Sequence, residues 1–114
     1  MHELGITRNI VAVVGEAANG RRVRRVMLEI GKLSGVVPDA LAFCFDAVTR
    51  GTPLEGAALE IREIDGRARC IACNAEFATL DFFAVCACGS RRVAYVAGEE
   101  LNIKAMEVDE VCHV

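Results

Sequence analysis

Two groups of residues in this 114-residue chain have the types and spacing to bind metal ions. The first is Cys70-x2-Cys73 followed, after twelve residues, by Cys86-x-Cys88. Two cysteine pairs at this separation bring four thiolates to one tetrahedral centre, for which zinc is the default ion. A closed four-sulfur site leaves no position for water or substrate, so its role is structural. The second pair is one residue tighter than the usual C-x2-C knuckle, which makes Cys86 the least secure ligand; Cys112 or His113 would replace it if the C-terminus folds back. A thioredoxin-like redox pair would place C-x2-C at a helix start after a strand, whereas these cysteines sit in a ribbon punctuated by glycine and charge. A disulfide pair and a tetrahedral iron site are the remaining alternatives. Arg69, Arg91 and Arg92 flank the thiolates, either as solvated surface or as an offset to the negative charge of a four-thiolate centre.

The second group is Met1-His2-Glu3. With the initiator methionine retained, as the bulky second residue favours, the terminal amine, the His2 amide nitrogen and the His2 imidazole close adjacent chelate rings around one ion. Glu3 adds its amide or its carboxylate. Nitrogen and oxygen donors in a near-planar array suit Ni(II) or Cu(II) better than tetrahedral zinc. Protons compete for such donors in the range of about 6 to 8 where imidazoles and amines titrate, so affinity falls with pH. The bland alternative is a polar tripeptide in which Glu3 serves as a favourable charge in a first helical turn.

Composition bounds the setting. Six cysteines, 54% apolar residues and no secretory signal or membrane-length apolar run are expected of a single small, soluble, cytoplasmic protein. A net charge of −3 weighs against general nucleic-acid binding.

The elements that must carry these groups can be read from periodicity. Residues 3–18 space Ile6, Ile10, Val13 or Val14 and Ala17 as a helix, which Asn19-Gly20 stops. RRVRRVMLEIGKL alternates as a strand with Val26, Leu28 and Ile30 on one face. Its arginine run, Arg21, Arg22, Arg24 and Arg25, reads as a solvated strand edge. After a turn at Gly35–Pro38, Leu41, Cys44, Phe45 and Val48 form the apolar stripe of a second helix, with Pro38 at its first position. Cys44 reads there as a small buried hydrophobe. Ala57, Leu59 and Ile61 mark a second strand, and Leu101, Ile103 and Ala105 a last one. The stretch from about Arg67 to Val93 is too short for a core of its own and needs the metal to hold it.

MHELGIT, IGKLSGVVPDALAFCFD and the two-pair cysteine ribbon before a closing strand together resemble the HypA/HybF family of hydrogenase nickel-insertion proteins, across essentially the whole chain. The resemblance implies an α+β fold: a small nickel-binding domain of two helices on a three-stranded sheet, formed by residues 1–66 and 94–114, with an inserted zinc-ribbon domain at 67–93. It implies a metallochaperone that takes transported Ni(2+) at Met1, His2 and Glu3 and keeps structural Zn(2+) at Cys70, Cys73, Cys86 and Cys88. The implied partners are a HypB-type nickel GTPase and the large subunit precursor of a [NiFe] hydrogenase, with urease maturation factors in some relatives and a homodimer as one assembly; no nucleic acid and no membrane are expected. The chain departs from the family's usual second C-x2-C in having VCACGS, and His2 and His113 are its only histidines. A zinc-ribbon interaction module without a nickel role is the competing reading, weakened by the acidic balance and by few exposed aromatics. An enzyme has least support, because no nucleophile and base are paired in the sequence.

Overall fold

In the computed structural model, residues 2–109 are described. They form α1 (Glu3–Ala18), β1 (Val23–Gly31), α2 (Pro38–Val48), β2 (Ala58–Ile64), β3 (Arg67–Cys70), β4 (Glu76–Ala78), β5 (Val93–Ala97) and β6 (Leu101–Val108). The strands make two three-stranded sheets, ordered β2-β1-β6 and β4-β3-β5. β1 pairs parallel with β2, through α2 as the crossover, and antiparallel with β6. The expected ribbon boundary at Val93 falls at the start of β5, which completes the second sheet against β3.

α1 buries Thr7, Ile10, Val11, Val14 and Ala18, and stops where Asn19 takes the left-handed conformation at φ 53°. Ala18 rather than Ala17 therefore ends the apolar stripe. In α2, Leu41 and Phe45 are fully buried while Cys44 and Val48 are half-buried. With Val26, Leu28 and Ile30, the aliphatic residues of α1 and Leu41 and Phe45 of α2 form one core between the helices and the first sheet, against which Val48 packs.

Two bulges correct the simple alternation. One extra residue in β1, Arg24, lets Val23 and Val26 share the core face although they are three apart. One extra residue in β6, Lys104, does the same: Leu101 and Ile103 lie opposite Ile30 and Leu28, and beyond the bulge Met106 and not Ala105 lies opposite Val26. Directly opposed residues of an antiparallel pair share a face, so the core face of β6 is Leu101, Ile103, Met106 and Val108. Met106 and Val108 are half-buried against the core, but Leu101 and Ile103 stay exposed beside a groove of about 490 Å³ that they line with Ile6, Ile10 and Val13 of α1.

The arginine run is also corrected. β1 is the central strand, not an edge. Its arginines are occupied: Arg21 Nε donates to the Ala18 carbonyl at the end of α1 (2.8 Å), Arg22 to the Glu55 carbonyl (2.6 Å), Arg24 pairs with Asp109, and Arg25 pairs with Glu60 and Glu107 on the two neighbouring strands.

The sheets meet at a waist built from glycine. A Cβ on Gly31 would lie 1.9 Å from the Gly98 carbonyl oxygen, and one on Gly66 2.4 Å from that of Thr79. Gly98, at φ 111°, packs against Gly66 and Leu33. Such close backbone approach is what glycine permits. Hydrogen bonds close the waist: Leu33 N–H to the Gly98 carbonyl (2.7 Å), Gly31 N–H to that of Glu100 (2.8 Å) and Lys32 N–H to that of Ile64 (2.9 Å). Lys32 Nζ also pairs with Asp65 at 2.7 Å, which holds the Asp65 carboxyl below its ordinary range and Lys32 above.

Candidate metal centres

β3 leads from Gly66 at the waist to Cys70, and a tight turn follows in which the Cys70 carbonyl accepts the Asn74 N–H (2.8 Å) while Asn74 takes φ 66°. This turn presents Cys73. The second turn is closed by Gly89 N–H to the Cys86 carbonyl (2.8 Å) and Cys86 N–H to the Ser90 carbonyl (2.9 Å), with Gly89 at φ 91°. Glycine at a left-handed position lets the shorter C-x-C pair turn within the space available.

The four sulfurs converge. Cys70 Sγ lies 3.7 Å from Cys88 Sγ, Cys73 Sγ lies 3.6 Å from Cys86 Sγ, and all four fall within 4.8 Å of one another. Tetrahedral sulfur at about 2.3 Å from a zinc ion implies sulfurs about 3.8 Å apart, close to the two shortest separations here, so the donor set suits that ion. Cys86 is thus part of the cluster despite its tighter spacing; Cys112 and His113, the alternative donors, lie outside the described residues. Cys70 and Cys86 are buried and Cys73 and Cys88 exposed.

The sulfurs are electrostatically unequal. The Cys73 N–H directed at Cys70 lowers that thiol to about 6, aided by Cys88 and against the effect of burial. For Cys86, the Cys88 N–H acts to lower the thiol, but burial and the neighbouring sulfurs of Cys73, Cys88 and Cys70 override it and push it up to about 12. Four sulfurs this close cannot all be thiolates without a cation among them.

The N-terminal group is placed differently. Met1 lies outside the described residues. His2 is exposed and stands at the N-cap of α1, where its carbonyl accepts the Ile6 N–H (3.1 Å) and its side chain makes no capping bond. Glu3 is the first helical residue. The first amide groups of a helix have no intrahelical acceptor, so the amide nitrogens of His2 and Glu3 are not committed to the helix ladder. The Glu3 carbonyl accepts the Thr7 hydroxyl (2.6 Å), and its Oε2 accepts the Val37 N–H at 3.2 Å. That N–H is the leading cause of a Glu3 carboxyl held below its ordinary range. The sequence carried no signal for this contact, which joins residues 34 apart.

Arg69, Arg91 and Arg92 are exposed around the ribbon. Contrary to the expectation of few exposed aromatics, Phe83 is 87% exposed and Phe82 46%, the latter edge-on to Tyr95 at 4.9 Å. No helix among the described residues is long and apolar enough to cross a membrane.

Known proteins are similar to this chain in sequence and fold. A chain described as hydrogenase maturation factor HypA from a Nostoc species is 59% identical over 112 residues, covering 98% of this chain and 99% of the relative. One of the same description from Geobacter metallireducens is 51% identical over 110 residues, covering 96% and 100%. The solution structure of the nickel metallochaperone HypA from Helicobacter pylori superposes with a TM-score of 0.67 at 24% identity, covering 95% of this chain and 97% of that one, and so attests the fold. The family model for hydrogenase/urease nickel incorporation, metallochaperone, HypA matches residues 1–108. With its four-sulfur ribbon and its Met-His-Glu start, the chain belongs to the HypA family of nickel-incorporation metallochaperones.

Proposed function

We propose that this protein carries Ni(II) on the Met1 amine, the His2 amide and imidazole and Glu3, and delivers it for maturation of a [NiFe] hydrogenase, while Cys70, Cys73, Cys86 and Cys88 keep a resident zinc ion. The observation that carries the reading is the placement of an exposed His2 at the head of α1, beside amide nitrogens that lie outside the helix ladder. A terminal, exposed site of few donors loads and unloads cargo, whereas a closed sulfur cage does not exchange. When bound, zinc supplies the positive charge that lets four close sulfurs remain thiolates and cross-links a ribbon with little apolar core. The chain's own residues do the rest: the Cys73 and Cys88 amides direct their N–H groups at sulfur, and Gly89 turns the second pair inward.

The division of labour runs between the helical nickel unit, expected at 1–66 and 94–114, and the ribbon expected at 67–93, whose sheet takes in β5 as far as Ala97. The protein acts in the cytoplasm as a carrier and not a catalyst. Its partners are a HypB-type GTPase that drives nickel transfer and the large subunit precursor that receives it; the family description also names urease.

The test is nickel and zinc titration of the untagged protein and of His2→Ala, with bound metal counted by native mass spectrometry. Wild type is expected to take one nickel beside one zinc, and His2→Ala to keep zinc but lose nickel. One extra residue ahead of Met1 is expected to act like His2→Ala, because it displaces the amine from the chelate. Undiminished nickel binding in His2→Ala overturns the N-terminal assignment.

A further inference from the structure

We propose that the Glu3 carboxylate is a positioning group and not a nickel donor: by accepting the Val37 N–H it fastens the first turn of α1, and with it the N-terminal chelate, to the head of α2. This deepens, and rests on, the N-terminal nickel reading.

The geometry on both sides of the contact supports it. α2 begins with valine at its N-cap, a residue with no side-chain acceptor, and no side chain of its own segment caps it. Pro38 at the first helical position has no N–H, so the Val37 N–H is the foremost donor at that helix end. Glu3 supplies the acceptor from across the fold, at 3.2 Å. Two helix N-termini thus converge on one carboxylate, and each end favours a negative charge there.

What Glu3 is fastened to is itself held. The loop from Gly31 to Val37 is tied by Leu33 N–H to the Gly98 carbonyl, Ser34 N–H to the Gly31 carbonyl and Val36 N–H to Ser34 Oγ, with Leu33 and Val36 buried. The anchor is therefore part of the waist between the sheets. A carboxylate drawn to an ion would leave the head of α2 without its acceptor, whereas the His2 and Glu3 amide nitrogens lie outside the helix ladder, the Glu3 N–H being directed at its own carboxylate. Holding the short N-terminal segment before nickel arrives reduces the ordering cost of the chelate.

The experiment compares wild type, Glu3→Ala, Glu3→Gln, Val37→Pro and Glu3→Ala/Val37→Pro, each checked for folding by circular dichroism. Nickel affinity is measured by competition with a chromophoric chelator, and the ligand field by the d–d absorption of the loaded protein. Exchange of the Val37 amide is followed by NMR in metal-free wild type, Glu3→Ala and Glu3→Gln. If the carboxylate positions the site, Glu3→Ala and Val37→Pro each weaken nickel about tenfold, the scale of one charge-assisted hydrogen bond. The double variant is no weaker than either single one, the absorption bands stay in place, and Glu3→Gln, which retains an acceptor oxygen, rescues most of the loss. Exchange at Val37 accelerates in Glu3→Ala.

The proposal is overturned if Glu3→Gln loses as much affinity as Glu3→Ala and moves the absorption bands, which marks a direct donor, or if the two single losses multiply. Should Val37→Pro fail to fold, the Gln-against-Ala contrast and the amide exchange decide. Failure of wild type to bind nickel defeats the N-terminal nickel reading, while amide exchange at Val37 that is the same in wild type and Glu3→Ala defeats the anchor alone.

Discussion

At the scale of the residue, the sulfur cluster makes its own predictions. Cys73→Ser removes one of four donors, and is expected to take zinc content from one per chain to near zero by elemental analysis while nickel binding at the N-terminus persists. Full zinc in this variant would show that the ligand set is wrong. The pH dependence follows from the unequal thiols. In the metal-free protein at pH 7, Cys70 at about 6 is mostly thiolate and Cys86 at about 12 is a thiol. Zinc must displace the Cys86 proton throughout the neutral range, and the Cys70 proton as well once pH falls below about 6. Zinc affinity is thus expected to fall with falling pH, and to fall more steeply below about 6, with proton release per zinc rising correspondingly in calorimetry across buffers of different ionisation enthalpy. The cysteine types and spacing were legible in the sequence; that Cys86 joins Cys73 at 3.6 Å was not, because it depends on the left-handed turn at Gly89.

At the scale of the element, the waist is the exacting feature. Replacing Gly31 with alanine drives a methyl group to 1.9 Å from the Gly98 carbonyl oxygen, a backbone atom that no side-chain rotation can move aside. A destabilisation of about 3 kcal/mol is expected, at the upper end of ordinary overpacking, read as a lowered midpoint of urea unfolding. Gly5→Ala, where a Cβ meets nothing within 4 Å and α1 gains a better helix former, is expected to be neutral or slightly stabilising in the same measurement. Periodicity located α1, β1, α2, β2 and β6, since each shows an apolar face to one core. It misassigned Ala105 because a bulge changes strand parity by one residue, and the extra residue, Lys104, differs from its neighbours in no way that period-2 reasoning detects. The arginine run looked like edge protection because charge density does not say which strands flank it.

At the scale of the whole molecule, the chain extends over 65 × 26 × 17 Å with a radius of gyration of 18.0 Å, against about 13 Å for a compact domain of this length. Small-angle scattering of the monomer is expected to give a value near 18 Å; one near 13 Å would mean that ribbon and helical unit fold onto each other. The elongation has a local cause: strands pass directly from one sheet to the other through the glycine waist, and the ribbon's strands pack chiefly on one another. The sequence alone determined the chemistry on offer, four thiols in two pairs and an N-terminal histidine, together with the class and order of most elements, because ligand type and apolar periodicity are local properties. Only the tertiary structure decided that four sulfurs meet within 4.8 Å, that Gly31, Gly66 and Gly98 close one joint, and that Glu3 reaches the Val37 N–H. Each of these joins segments far apart in the chain, and such contacts are set by how the core packs and where the strands cross.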